Sequence, residues 1–351
     1  MRILHTADVH LKTVGDERWE ALDNITNVCE KENVDLLVIS GDLFDTTSDA
    51  HNIRDGVRKF FSTGASETAI IPGNHDTSSF KKGFYFGEDV HVLGESNWHK
   101  NIIEFEDVRV VGLPFENLDT QEFYLKLRGL SSKLTPERSN IILYHGELLD
   151  NFYSRNDFGP GEERRYMPAR LSFFKELNIN YVLAGHFHTK FDMRKLEEDR
   201  YFVYSGSPVS VTRKETGQRF ANLFDTGSIP KEYPLDTYHC SEIVIELNPF
   251  TNENHIDVIK REISKAHRNA DVTLTIGGYI NQSEKELVDA IKNFLIGRNV
   301  NVEYQFKDIS SITNHSLYIK FEQILSQLEI DDSRKDEIRK MAIHGMIEAQ
   351  V

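Results

Sequence analysis

Five short motifs rich in histidine and carboxylate follow one another through the first half of the chain. They are Asp8-Val9-His10, Gly41-Asp42-Leu43-Phe44-Asp45, Gly73-Asn74-His75-Asp76, Tyr144-His145-Gly146 and Gly185-His186-Phe187-His188. Singly, each is weak: Gly-Asp is a common turn, and an Asp-x-His or His-x-His pair is usually surface or core decoration. Together they supply imidazole nitrogens, carboxylate oxygens and one amide oxygen for two divalent cations, with His75 left over. Mixed donors of this kind suit Mn, Fe or Zn, and the absence of thiolates argues against a purely structural zinc site. Two cations ~4 Å apart clamp the attacking and leaving oxygens of an in-line phosphoryl displacement, and lower the pKa of a water between them. The chemistry implied is hydrolysis of a phosphate ester.

Within the set each donor has an expected place. Asp42 follows Gly41, whose lack of a side chain lets the backbone turn and approach closely, and its two oxygens make it the natural bridge. Asn74 offers a neutral carbonyl oxygen. Asp8 and His10, like His186 and His188, are spaced i, i+2, which places each pair on one face of an extended segment. His75 is left to stabilise developing charge or to protonate a leaving oxygen, with Asp76 to orient it. The other histidines lack such context and read as structural or surface residues.

The elements that position these groups are strands. Apolar runs at 3–6, 36–40, 69–71, 109–112, 141–144 and 181–184 precede the motifs or lie between them. Amphipathic helices are expected near 18–31, 52–61, 120–127 and 169–177. Alternation of this kind reads as an α/β layer architecture, and near-continuous apolar runs such as Leu36-Leu37-Val38-Ile39 read as strands buried on both faces. Sites in such folds collect at the carboxyl ends of the strands. From 201 to about 224 the strands shorten, and the polar, proline-bearing stretch 228–237 marks a boundary. Beyond it the order is strand 242–247, helix 256–267, strand 272–276, helix 284–295 and strand 300–306, a small α/β unit. Apolar stripes at Leu317, Tyr318, Phe321, Ile324, Leu325 and Leu328, and again at Ile338, Met341, Ala342, Gly345 and Met346, predict two amphipathic helices joined at 331–333.

Composition bounds the rest. At 351 residues, with 39% hydrophobic and 11% aromatic, the chain supports two or three packed domains rather than disorder. A net charge of −15 argues against a simple electrostatic nucleic-acid binder, although basic residues outnumber acidic ones between Arg155 and Arg219. Two cysteines and no Cys-x-x-Cys fit a reducing, cytoplasmic setting. The opening residues do not read as a secretion signal, and no apolar run approaches the ~18 residues of a membrane span.

The five motifs, in this order, resemble the calcineurin-like metallophosphoesterase superfamily, whose pattern is Asp-x-His, Gly-Asp, Gly-Asn-His, a lone His and Gly-His-x-His. The resemblance covers roughly the first 210 residues. The opening Met-Arg-Ile-Leu-His-Thr-Ala-Asp-Val-His-Leu, the Gly-Asp-Leu-Phe-Asp block and Tyr204-Ser205-Gly206-Ser207-Pro208 look like the narrower SbcD family. That family is the prokaryotic counterpart of the meiotic-recombination-eleven nuclease of double-strand-break repair. The resemblance implies an α/β fold, a four-layer β-sandwich flanked by helices, over residues 1–235. It implies a small α/β capping domain over 236–310 and a C-terminal helix pair over 311–351 that docks on an SMC-like coiled-coil repair ATPase. One cation would take Asp8, His10, Asp42 and His188; the other would take Asp42, Asn74, His145 and His186. His75 would be catalytic.

The activity implied is Mn-dependent endonuclease and 3'-5' exonuclease action on DNA, by a homodimer associated with the prokaryotic nucleoid. Asp45 stands where many relatives carry histidine, so no role in directing exonuclease action is carried over to it. Candidate DNA contacts are Tyr153, Arg155, Arg164 and Arg165 in the loop 151–166, with Arg213 and Lys214 nearby. The competing expectation is a phosphatase or phosphodiesterase acting on a phosphoprotein or a small molecule. A small-substrate enzyme, however, needs neither a capping domain nor a helix pair. A non-catalytic scaffold would have lost ligands, and none is lost here.

Overall fold

The structure is a computed structural model that describes residues 1–62, 66–80, 85–150, 166–251 and 253–349. These form two compact units, Met1–Cys240 and Ser241–Val351. The first opens with β1 (Arg2–Thr6), α1 (Glu17–Glu32), β2 (Leu36–Ser40), α2 (Thr47–Ser62), β3 (Glu67–Ile71) and β4 (Val90–Val92). It continues with β5 (Ile102–Glu104), β6 (Val108–Leu113), α3 (Thr120–Arg128), β7 (Ser139–His145), α4 (Leu171–Lys175) and β8 (Tyr181–Gly185). It closes with β9 (Asp192–Glu197), β10 (Arg200–Tyr204), β11 (Phe220–Asp225) and β12 (Lys231–Pro234).

The strands form two six-stranded sheets, ordered β12-β11-β1-β2-β3-β4 and β5-β6-β7-β8-β10-β9. The centre of each sheet is parallel: β1, β2, β3 and β4 in the first, β6, β7, β8 and β10 in the second. The flanking pairs are antiparallel. The stretch 228–237, marked by composition as a boundary, contains β12, which pairs with β11 and so belongs to this unit.

Three buried clusters explain the layering. Ile3, Leu36, Val38 and Ile71 of one sheet meet Val110, Ile141, Leu143 and Leu183 of the other. Behind the first sheet, Leu4, Leu37 and Ile39 pack on Leu22, Ile25 and Val28 of α1 and on Ile53, Val57 and Phe61 of α2. Behind the second, Ile142, Val182 and Phe202 pack on Phe123, Leu127 and Phe174 from α3 and α4. The order is therefore helix, sheet, sheet, helix. Strands β2 and β8 are buried along their whole length, because one face meets the opposite sheet and the other meets helices. This is why their sequences are apolar throughout rather than alternating.

Helix α1 begins where Asp16 accepts hydrogen bonds from the backbone N–H groups of Arg18 and Trp19, and ends at Asn33 in the left-handed conformation. Its capped start fixes the position of Arg18, which matters below.

The second unit holds β13 (His239–Leu247) from Ser241 onward, α5 (His255–Ile263), β14 (Ala270–Ile280), α6 (Glu284–Leu295), β15 (Val300–Tyr304) and β16 (Lys307–Asp308). The sheet runs β13-β14-β15, with β16 also paired to β14. Three helices follow: α7 (Ser310–Thr313), α8 (Ser316–Ser326) and α9 (Asp332–Glu348). The apolar stripes of α8 and α9 split between two faces. Tyr318, Ile343 and Met346 are buried with Ile309 and Ile312, against Phe250 and Tyr279 of the same unit. Leu317, Ile319, Ile324, Leu328 and Met341 are exposed. Arg339 of α9 reaches Glu322 of α8 at 3.1 Å, tying the two helices together.

Candidate metal centre

All seven ligand candidates lie at the carboxyl ends of the central parallel strands. Asp8 and His10 follow β1, Asp42 follows β2, and Asn74 follows β3; His145 ends β7, and His186 and His188 follow β8. The first three strands belong to one sheet and the last two to the other, so the site forms where the two sheets' ends meet.

Spacing along a strand is not what brings the pairs together. Strand β1 ends at Thr6, and Asp8 and His10 have φ of 56° and 53°. Asp42 and His186 are also left-handed, at 51° and 93°. Four of the seven candidates thus sit in a conformation that disfavours side chains, at ~1–3 kcal/mol each. Long-range bonds hold three of them: the amides of Asp8 and His10 donate to the carbonyls of Gly41 and Asp42, and the amide of His186 donates to the Asp8 carboxylate at 3.0 Å. The expectation of extended Asp-x-His and His-x-His segments is corrected: beyond the strand ends, Asp8, His10 and His186 take left-handed backbone.

The donor atoms fall into two contiguous groups. In one, Nε2 of His10 and of His188 stand 3.4 Å apart, and Asp8 Oδ1 is 3.8 Å from His188 Nε2. In the other, Asn74 Oδ1 lies 2.9 Å from His145 Nε2 and 3.1 Å from His186 Nδ1. Ligand atoms each ~2.1 Å from one cation, in tetrahedral or octahedral geometry, stand roughly 3.0–3.4 Å apart. Asp42 lies between the groups. Its Oδ1 accepts the His75 backbone N–H at 2.9 Å. Its Oδ2 is buried without a well-formed hydrogen bond, 3.3 Å from His145 Nε2 and 3.9 Å from His10 Nε2. A buried, unsatisfied carboxylate oxygen facing two imidazoles calls for a cation, and the donor set fits a divalent pair.

Second partners orient the imidazoles. His145 Nδ1 is 2.8 Å from the carbonyl of Ser40, and His10 Nδ1 is 3.4 Å from Asp45. Asp45 also meets Lys12 at 3.0 Å and Arg18 at 3.1 Å, and Arg18 donates to the carbonyl of His10 at 2.6 Å. His188 Nδ1 lies 3.3 Å from Glu215. The Ser40 and Glu215 contacts leave Nε2 of His145 and of His188 to face the centre, as metal-binding histidines commonly do, while His10 Nδ1 faces Asp45 without a well-formed hydrogen bond. Asp45 belonged to a quoted motif, but its contact with His10 did not follow from it. Arg18 and Glu215 carried no motif signal at all.

Electrostatics follow from burial and from this crowding. Burial opposes the charge on Asp42, yet His145 and His10 beside it hold its carboxyl far below the usual range. Burial also opposes charge on His145, but Asp42 and Asp8 outweigh it and raise the ring to about 9. Burial keeps His10 and His186 below the ordinary histidine value, in the neutral form a metal ligand needs. Asp8 is raised, chiefly by burial.

His75 is exposed beside this cluster, its ring edge-on to His10 with centroids 4.8 Å apart, and its Nδ1 is 3.2 Å from the Asp45 carbonyl. Asp76, expected to orient His75, has both oxygens occupied by backbone N–H groups: Gly73 at 2.7 Å and Phe44 at 3.1 Å. It braces the two loops that carry Asp42 and Asn74. Tyr153, Arg155, Arg164 and Arg165 lie outside the described residues. Arg213 and Lys214 are exposed.

Residues 1–190 match the calcineurin-like phosphoesterase family, and the chain belongs to that family. Among curated proteins it is similar to the SbcD component of nuclease SbcCD from Staphylococcus epidermidis, 22% identical over 378 residues, covering 94% of this chain and 96% of the relative. The same component from Staphylococcus saprophyticus is 21% identical over 297 residues, covering 76% of each. Among solved structures, a dimetal phosphatase from Danio rerio overlays with a TM-score of 0.40 at 12% identity, covering 67% of this chain and 98% of that one.

Proposed function

We propose that this chain is a two-metal, Mn-dependent DNA nuclease with endonuclease and 3'-5' exonuclease action. It works in double-strand-break repair as a homodimer with an SMC-like coiled-coil ATPase, in the cytoplasm at the nucleoid. The observation that carries the two-metal reading is Asp42 Oδ2, buried and unsatisfied between His10 and His145. Support for a nucleic-acid substrate comes from relatives named as one subunit of a nuclease, one of them matched over 94% of this chain and the other over 76%. Support for a partner comes from the same name and from the apolar residues that α8 and α9 leave exposed.

When bound, the cations supply Lewis acidity and a water acidic enough to ionise near neutral pH. The protein's own groups do the rest. Asp42 would contribute to both positions, the carboxylate and carbonyl contacts to the imidazoles set which nitrogen faces inward, and the two packed sheets bury the donors. His75, exposed and with a ring nitrogen within 4.8 Å of donor atoms of His10 and Asp42, is the group left to protonate or screen a phosphate or leaving oxygen.

The test is purified protein with Mn²⁺ or Mg²⁺ on linear duplex DNA, single-stranded DNA and an aryl phosphate monoester. Nucleotide release is expected, and His75→Ala should reduce it roughly 100- to 10,000-fold while Mn²⁺ uptake stays intact. Hydrolysis of the monoester alone would replace the nuclease reading with a phosphatase.

A further inference from the structure

Glu215 lies far from the five motifs, yet its carboxylate is only 1% exposed and reaches the metal centre. Its Oε1 is 3.3 Å from His188 Nδ1 and accepts from Thr212 Oγ1 at 3.1 Å. Its Oε2 accepts from the Val211 backbone N–H at 2.8 Å and lies 3.4 Å from Ser207 Oγ. Arg219, equally buried, grips the same strip from its other side. It donates to the carbonyl of His188 and to those of Ser207 at 3.0 Å and Thr189 at 3.1 Å, and to Ser207 Oγ at 2.9 Å. One residue holds the His188 ring and the other holds its main chain.

Burying two such ions costs several kcal/mol each before their contacts are counted. An apolar pair would hold a loop with less desolvation, but it could not accept a hydrogen bond from Nδ1–H. We propose that Glu215, backed by Arg219, is a positioning residue for one cation of the pair, the one taken by Asp8, His10 and His188. By accepting the Nδ1–H of His188 it presents Nε2 as a lone-pair donor toward His10 and Asp8, and raises that donor's basicity. His145, in the other group, meets the neutral carbonyl of Ser40 at 2.8 Å in the corresponding place, with Asp8 Oδ1 only at 4.0 Å. The two positions are therefore built differently, and Glu215 acts on one of them. This rests on the two-metal reading.

The experiment is Mn²⁺ titration of the full, metal-stripped chain, read by calorimetry and by the electron paramagnetic resonance of bound Mn²⁺. The wild type is expected to take up two cations with an exchange-coupled spectrum. Glu215→Gln should weaken one of them by roughly 10- to 100-fold, so that at intermediate Mn²⁺ the spectrum is that of an isolated ion. Glu215→Asp, which keeps the charge but withdraws it by one methylene, should weaken the same single cation and serves if the glutamine variant does not fold. In a His188→Gln background, Glu215→Gln should add no further loss. Equal weakening of both cations, or a further loss in the His188→Gln background, would mean that Glu215 only holds the loop, and would overturn the assignment. So would wild-type affinities in both Glu215 variants. A wild type that takes up no Mn²⁺ would instead sink the two-metal reading itself.

Discussion

Gly41 shows how little freedom the centre leaves a single residue. Its φ is 94°, and a Cβ built there would enter the His145 ring. The segment that carries Asp42 beyond β2 can therefore pass the histidine only if residue 41 has no side chain. Gly41→Ala is expected to cost about 1–3 kcal/mol of stability for the backbone conformation alone, and to weaken Mn²⁺ uptake by displacing His145 or Asp42. Urea unfolding and calorimetric titration would measure the two effects, and full Mn²⁺ uptake by the variant would contradict this account. The same density of contacts makes His10 more than a ligand: its ring meets Asp45, its carbonyl meets Arg18, and its face meets His75.

Among the elements, β1 carries a second histidine that the chemistry does not use. His5 is fully buried, 3.5 Å from Asn222 of the neighbouring β11, and burial lowers it from 6.5 to about 3, with the Ala184 backbone only partly opposing. Unfolded, the ring takes a proton below about pH 6.5; folded, it resists until about pH 3. The stability that depends on its neutrality is therefore present above 6.5 and is lost as pH falls toward 3, at up to ~1.4 kcal/mol per pH unit. Asp76, which burial and Asp42 raise to about 7, slopes the opposite way. It is common to wild type and variant and cancels in their difference. The unfolding free energy of the wild type minus that of His5→Leu should fall between about pH 6.5 and pH 4; a difference that does not change with pH would refute the burial argument.

At the scale of the whole molecule, every metal candidate lies in the first unit, and the exposed apolar residues of α8 and α9 lie in the second. Residues 1–240 alone are therefore expected to retain Mn²⁺ uptake and hydrolysis of an aryl phosphodiester. Loss of metal binding in that fragment, with its circular dichroism unchanged, would show that the second unit contributes to the centre. In the full chain, Ile324→Asp should abolish capture of the proposed ATPase partner without shifting the melting temperature, because Ile324 is already exposed while Leu325 beside it is buried. The charge of −15 bears on the same scale. Part of it is carboxylate aimed at the centre, where each divalent cation returns two charges.

The strands before the candidate donors and the alternation of strand with helix were legible in the sequence, because apolar period and residue type are local properties, and the motifs were enough to name the candidates that those strand ends bring together. Helix α6 was legible to its ends for the same reason. The left-handed backbone at Asp8, His10, Asp42 and His186 was not, because the bonds that hold it come from residues far along the chain: the Asp8 and His10 amides donate to the carbonyls of Gly41 and Asp42, and the His186 amide donates to the Asp8 carboxylate. Nor were Arg18, Glu215 and Arg219, charged residues whose composition alone would place them in water. Only the closure of two sheets against each other decided that they point inward, since a charge is buried only where partners far along the chain arrive to meet it.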